Sequence, residues 1–183
     1  MRNRLACLLV RLSVAVALFA PLLAQTAQSQ WKQYSYPSDG FSISSPLEPA
    51  FSKEIRPTSS GTATLELHNY AIDLGNNTVV LISSTEIEGA DRTPAKDMLA
   101  GAKAGAIQSL KARLTSEKEL TLQGTPGTEF QAESDSFRLH ARMYMVGTKL
   151  LTVLAMGPMT SAIPANANRI LDSLRLLKAP GSN

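Results

Sequence analysis

The residues with the greatest capacity for chemistry are two histidines and the carboxylates near them. The chain has only two histidines, His68 and His140. A zinc site built from both would need Glu66 or Glu129 as a further ligand, and two distant strands would have to meet. Nothing in the spacing demands such a meeting. We therefore interpret both histidines as surface or half-buried residues, and we predict no metal and no cofactor.

A polar face is predicted where two neighbouring strands pair near residue 135. If Ser134-Asp135 is the turn, Gln131 lies opposite Arg138 and Glu129 lies opposite His140. The face would consist of Glu129, Gln131, Glu133, Arg138, His140 and Arg142. It is either a charge ladder, worth roughly 0.2–1 kcal/mol for each opposite pair, or a recognition patch for a polar or acidic partner. The candidate binding residues are Glu129, Arg138, His140 and Arg142.

The common motifs of catalysis and phosphate binding are missing from the sequence. No serine lies in a Gly-x-Ser-x-Gly pattern, which positions the nucleophile of many hydrolases. No glycine-rich loop precedes a helix, as phosphate binding by backbone N–H groups would require. We predict that the protein is not an enzyme. The less favoured alternative is a metal-dependent hydrolase built on the two histidine strands.

Residues 1–29 are predicted to be a signal peptide. Three arginines flank an almost wholly apolar run, residues 12–24, which is shorter than the roughly 20 residues that a membrane-spanning helix needs. Small residues place the cleavage before Gln30, and cleavage after Ala24 is the alternative. The only cysteine, Cys7, lies in this segment. The mature protein is therefore predicted to lack disulfides and thiol chemistry.

The basic charge of the full chain comes from the predicted signal peptide. The chain has 18 Lys and Arg and 15 Asp and Glu. Because residues 1–29 contain three of the arginines and no acidic residue, the remainder has 15 of each sign. Neutrality gives no support for a nucleic-acid partner. Residues 30–178 are predicted to form one domain, followed by a disordered tail at 179–183.

Sequence periodicity predicts two helices. Thr93 is predicted to cap the first, with Pro94 at its first position and an apolar stripe that continues to Leu114. Gly101 and Gly105 lie inside this helix, where we expect them to allow close approach to a sheet, with a hinge as the alternative. A second helix is predicted after Pro158.

Alternating side chains predict about six to seven antiparallel strands, the clearest of them at residues 137–146. Turns are predicted at residues 73–77, 124–127 and 147–148, and residues 46–61, with three prolines, are predicted to be a surface loop. Strands grouped in hairpins, with one long central helix and a carboxy-terminal helix packed on the sheet, predict an α+β fold.

Several stretches resemble the PsbP-like family, which is named for an extrinsic subunit of photosystem II. The resemblance lies in the order of the elements and in residues 36–43 (YPSDGFSI), 124–130 (GTPGTEF), 144–147 (YMVG) and 170–176 (ILDSLRL). It implies an α/β/α sandwich and a docking or assembly role. One subset of the family supports the oxygen-evolving complex, and another binds a small nuclear GTPase. No functional residue can be carried over, because no ligand-binding motif of the family is present.

The sequence therefore predicts an exported, non-catalytic binding or assembly module of the bacterial cell envelope. It would be periplasmic or secreted, with an envelope protein or a small ligand as partner. We expect no nucleic-acid partner and no membrane span after signal cleavage. The alternative is an extracytoplasmic carrier whose small ligand lies between helix and sheet.

Overall fold

A computed structural model of the protein describes residues 30–57 and 64–177. The predicted signal peptide and the predicted tail at 179–183 lie outside these residues. The described residues form ten β-strands, two α-helices and one short 3₁₀ turn at Ala90–Arg92. The predicted α+β fold class is confirmed.

Seven antiparallel strands form the main sheet. They are β3 (Ala50–Pro57), β4 (Thr64–Gly75), β5 (Thr78–Glu86), β6 (Arg113–Leu122), β7 (Thr125–Glu133), β8 (Phe137–Val146) and β9 (Lys149–Pro158). Their order across the sheet is β3-β4-β5-β9-β8-β7-β6. Strands β3 and β6 are therefore the edges. Among the described strands of this sheet, only β5 and β9 pair without being neighbours in sequence.

Three tight turns fix the register of the hairpins in the main sheet. Asn76 and Asn77 have φ values of 51° and 56°, and Gln123 and Gly124 have φ values of 51° and 83°. Positive φ at both central residues gives the backbone twist that suits a two-residue hairpin. The predicted turn at 147–148 is confirmed, with Gly147 at φ 63°. The turns at 76–77 and 123–124 are shorter than the turns predicted at 73–77 and 124–127. Strand β7 therefore begins at Thr125.

The first and last described strands meet in a small second sheet, which was not predicted. Strand β2 (Phe41–Ser45) lies between β1 (Lys32–Tyr36) and β10 (Arg175–Leu176). Phe41 and Ile43 of β2 have no solvent-accessible surface. The central strand of this sheet therefore supplies core side chains, while β1 is largely exposed.

The two helices cover opposite faces of the main sheet. Helix α1 (Ala95–Ser109) packs through Leu99 against the apolar face of β7 and β8. Helix α2 (Ala165–Asp172) and the small sheet pack against the other face of β5 and β9. The main sheet is thus the middle of three layers. The sequence had predicted a central helix, but α1 lies towards the β6 edge of the sheet.

Helix α1 also differs from its prediction at both ends. Its N-cap is Pro94, and no side chain, including that of Thr93, caps it. The helix ends at Ser109 instead of continuing to Leu114, because Lys111 adopts a φ of 50° and β6 follows directly. The apolar residues beyond Ser109 therefore do not extend the helical stripe.

The glycines inside α1 do not lie against the sheet. Gly101 and Gly105 are exposed, and a Cβ added to either would meet no atom within 4 Å. The predicted close approach is therefore wrong. Close approach occurs instead at Gly127 in β7, where an added Cβ would lie 2.6 Å from Cδ1 of Tyr144.

The predicted loop at residues 46–61 is largely a strand. Residues 50–57 form β3 and pair with β4 along their whole length. Pro49 precedes this strand and Pro57 ends it, so the prolines limit the strand without interrupting it. Residues 58–61 of the predicted loop lie outside the described residues.

Candidate binding surfaces

The predicted polar face exists on β7 and β8, with a register that differs by two residues from the predicted one. The observed pairs are Glu129 with Arg142, Gln131 with His140, and Glu133 with Arg138. The turn is centred on Asp135-Ser136, one residue later than predicted, and the Ser134 N–H donates to the Phe137 carbonyl at 2.8 Å. The predicted pairs are wrong. The shared face is nevertheless correct, because a slip of two residues preserves the alternation of side chains.

Glu129 is the centre of an ion-pair network on this face. Its Oε1 lies 2.9 Å from Nζ of Lys118, and its Oε2 accepts a 2.6 Å hydrogen bond from Nε of Arg142. Nε2 of His140 is 3.4 Å from the same Oε1. Burial raises the pKa of Glu129, but the bonds from Lys118 and Arg142 outweigh burial and lower the pKa from 4.5 to about 2. Glu129 is therefore ionised at neutral pH.

Helix α2 covers part of the polar face. Nη2 of Arg142 donates to Oδ1 of Asp172 at 2.7 Å. Nδ1 of His140 forms a 3.0 Å hydrogen bond with Oδ1 of Asn168. The side chains of His140 and Arg142 are only 14% and 18% exposed. The network joins β6, β7, β8 and α2, as a structural charge ladder would, and the binding role of its residues stays a prediction.

Arg138 is at the end of the same face, where the chain leaves β9. Its Nη2 donates to the Met159 carbonyl at 3.1 Å and lies 3.8 Å from Oε1 of Glu133. The side chain is 32% exposed, and the Arg113 guanidinium is also 4.0 Å from Glu133. The four predicted binding residues thus lie on one surface, but only Arg138 has substantial exposure.

A second network, around Asp39, was not predicted. Asp39 lies in the turn between β1 and β2 and is 7% exposed. Its carboxylate accepts hydrogen bonds from the Tyr70 hydroxyl at 2.5 Å and from Nδ1 of His68 at 2.9 Å. In the sequence, Asp39 precedes Gly40 and indicated only a turn. No local pattern reveals that its partners belong to β4.

Both ring nitrogens of His68 contact carboxylates. Nε2 lies 2.9 Å from Oε1 of Glu66, on the side opposite Asp39. The bond to Glu66 raises the pKa of His68 most, burial lowers it, and the bond to Asp39 raises it, so that the pKa lies above 6.5. The network thereby ties the turn of the small sheet to β4 of the main sheet.

The two histidines belong to separate networks. Strands β5 and β9 lie between β4 and β8, so three strand spacings, roughly 14 Å, separate His68 from His140. Within residues 30–57 and 64–177, no three or more His, Cys, Asp or Glu side chains are grouped to hold a metal ion. Each imidazole instead belongs to a network of side-chain contacts that joins separate elements of the fold.

Strand β3 carries an exposed apolar row along a free edge. Leu47, just before the strand, is 48% exposed, and Phe51 and Ile55 are 58% and 64% exposed. Phe51 and Ile55 point to the same face of the sheet because they are four residues apart in a strand. The Phe51 ring is 5.2 Å from that of Tyr70 and 5.6 Å from that of His68. Among the described strands, only β4 pairs with β3.

Comparison with a solved structure decides the architecture. The solution structure of cyanobacterial PsbP (CyanoP) from Synechocystis sp. PCC 6803 matches with a TM-score of 0.56. The match covers 86% of this chain and 99% of that chain, at 12% sequence identity. The chain has a PsbP-like fold. The resemblance predicted from the sequence is thus confirmed at the level of the fold, and at this identity the likeness shows the fold alone.

Other comparisons add nothing to the assignment of the PsbP-like fold. A crystal structure from Bacteroides thetaiotaomicron VPI-5482 matches with a TM-score of 0.42 and 13% identity, over 81% of this chain and 49% of that chain. A likeness of this degree carries no argument. No protein-family model matches the sequence, and no curated protein matches it.

The stretches that carried the resemblance have clear places in the PsbP-like fold. Residues 36–43 lead from β1 through a turn into β2, and residues 124–130 comprise the last turn residue and the first two thirds of β7. Residues 144–147 end β8, and residues 170–176 lead from α2 into β10. No helix among the described residues has the length and apolar character needed to cross a membrane.

Proposed function

We propose that the protein is an exported, non-catalytic binding module that holds a partner protein at the free edge of β3. The observation that carries this proposal is the exposed apolar row Leu47, Phe51 and Ile55. Three of the four large hydrophobic residues that are exposed in the described chain lie in this row. Exposed apolar side chains on an unpaired strand favour association, and natural proteins usually protect such edges.

The contacts of the ionisable residues favour a binding role over a catalytic role. Both ring nitrogens of His68 contact carboxylates, and Glu129 is paired with two cations. A general base or nucleophile must instead reach a substrate atom. The PsbP-like fold by itself does not indicate a reaction. The proposal therefore rests on the contacts that these side chains make.

Strand addition is the mode of binding that fits this edge. An extended segment of the partner would pair with the outer N–H and C=O groups of β3 as an eighth strand, and those bonds would supply affinity. Phe51 and Ile55 would contact alternate side chains of that segment. Lys53 lies between them on the same face, 2.7 Å from Oε2 of Glu66. The partner segment would therefore carry two apolar residues four positions apart, on either side of the residue that faces Lys53.

Variants of β3 test the proposal. Phe51→Thr with Ile55→Thr removes the two apolar residues of the row that lie in β3 itself and keeps residues suited to a strand. Leu114→Thr is the matched control, because Leu114 is 37% exposed on the opposite edge strand. Tagged mature protein should capture a specific partner from an envelope fraction, and binding should protect the amides of residues 50–57 from hydrogen exchange. The double variant should lose both effects, and the control should retain them.

Two results would count against the proposal. Capture of the same partner by the double variant would remove β3 as the binding surface. Amino-terminal sequencing of the protein from cells tests export, since the signal-peptide prediction expects a chain that begins at Gln30 or shortly before it. A mature protein that keeps residues 1–24 would refute export.

A further inference from the structure

A cavity of about 230 Å³ lies beneath the segment that joins β9 to α2. Four elements contribute polar side chains to its lining, and Ile163 of the joining segment contributes an apolar wall. The polar residues are Thr115 of β6, Gln131 and Glu133 of β7, Arg138 and His140 of β8, and Asn168 of α2. Polar groups that converge from separate elements on one cavity are typical of a small-molecule site.

A β-bulge places Thr115 at this cavity. In the pairing of β6 with β7, Leu114 is opposite Ala132 and Ser116 is opposite Gln131, so that Thr115 has no partner. The extra residue interrupts the alternation of side chains, and bulges are frequent beside functional sites because they redirect side chains. The bulge in β6 therefore lies at the cavity where the polar side chains meet.

Two buried nitrogens of residues that line the cavity form no hydrogen bond. Within the described residues, these are Nε of Arg138 and Nε2 of His140, and Nε2 of His140 lies 3.4 Å from Oε1 of Glu129. Buried polar atoms are nearly always hydrogen-bonded, so unpaired ones call for an explanation such as a bound molecule. The Arg138 guanidinium has five N–H donors, and the hydrogen bond described for it is the one to the Met159 carbonyl.

The ion pairs that reach the cavity contain one more cation than carboxylates. Among the described side chains, they link Arg113, Lys118, Arg138 and Arg142 with Glu129, Glu133 and Asp172. Glu129 is shared by Lys118 and Arg142, so Arg113 and Arg138 are left to share Glu133. Of these two arginines, Arg138 lines the cavity.

We propose that this cavity binds a small monocarboxylate with a short aliphatic side chain. Its carboxylate pairs with Arg138, its other polar groups contact Thr115 and Gln131, and its aliphatic part lies against Ile163. The volume suits such a ligand, because pockets for drug-sized molecules measure roughly 300–1,000 Å³. This site is distinct from the partner surface on β3 and does not depend on it.

Amide chemical shifts of the ¹⁵N-labelled mature protein test the site. The probes are sodium isobutyrate and sodium 2-hydroxyisovalerate, with isobutyramide as the neutral isostere and inorganic phosphate as a second anion. We expect saturable shifts around Thr115, Gln131, Arg138 and Asn168 with the carboxylates at millimolar concentration. Isobutyramide should give none. Saturation of the same amides by phosphate at equal concentrations would overturn the assignment to carboxylates.

Variants assign the binding to Arg138. Arg138→Gln should weaken carboxylate binding by about tenfold or more, whereas Arg175→Gln, at an exposed arginine of β10, should leave it unchanged. Ala162→Leu fills the cavity from an exposed position of the joining segment. The Ala162→Leu variant should abolish carboxylate binding without lowering the melting temperature. It therefore tests the site even if Arg138→Gln fails to fold.

Three further outcomes would overturn the proposal. They are the absence of saturable shifts with both carboxylates, equal shifts with isobutyramide, and unchanged carboxylate binding by folded Ala162→Leu protein.

Discussion

Replacing Glu129 with glutamine removes the carboxylate that Lys118 and Arg142 share. The pKa of Glu129 is about 2 instead of 4.5, which corresponds to about 3 kcal/mol of stability at neutral pH. Because the pKa is lowered, this contribution is present above the ordinary pKa and is lost as the pH falls towards 2. We expect Glu129→Gln to cost about 3 kcal/mol at pH 7 and about 1 kcal/mol at pH 3.

Urea unfolding of the wild type and the variant at both pH values measures these differences. Glu119→Gln is the matched control, because Glu119 and its partner Lys96 are 79% and 82% exposed. An exposed pair of this kind is screened by water and contributes little to stability. An equal penalty for Glu129→Gln at pH 7 and pH 3 would refute the reasoning, because the loss would then come from packing and not from ionisation.

Two further predictions concern packing and the second network. Gly127→Ala should lower the unfolding free energy by about 1–3 kcal/mol, because its Cβ would lie 2.6 Å from the buried Tyr144 ring. Gly101→Ala, in open space on α1, should raise it by roughly 0.5–1 kcal/mol. Thermal melts that rank the two variants the other way would contradict this. The pKa of His68 is raised, so its stabilisation is complete below its ordinary pKa and is lost as the pH rises through the raised value. Melting temperatures should therefore decline as the pH rises above about 6.5 in the wild type and stay flatter in His68→Gln; parallel declines would argue against the network.

Local patterns were sufficient to predict the class of the fold and most of its strands. Residues 137–146 alternate without interruption, and the structure has β8 at the same residues. The face shared by the polar residues of β7 and β8 was also predictable, because alternation has a period of two. The opposite pairs were not, since a turn displaced by one residue moves every pair by two.

Features that depend on distant parts of the chain could not be predicted. Asp39 is a turn residue by sequence, and its role comes from His68 and Tyr70, about thirty residues later. The bulge at Thr115 is defined only by the pairing of β6 with β7, where the register shifts between Leu114 and Ser116. Strand β3 was predicted as a loop because three prolines lie nearby, although they flank the strand and do not enter its interior. In each case, contacts with distant residues outweighed the local structural preferences of the sequence.

The small sheet sets the point at which this chain can finish folding. Its central strand β2 gains its second partner only from residues 175–176. The apolar face of β5 and β9 is likewise covered by residues that follow position 164. A chain delivered from its amino terminus, by a ribosome or through a membrane, thus keeps a large apolar surface open until residues 165–176 have emerged. Deleting β10 and the residues after it would accordingly destabilise the whole molecule, whereas fraying of β1 would stay local.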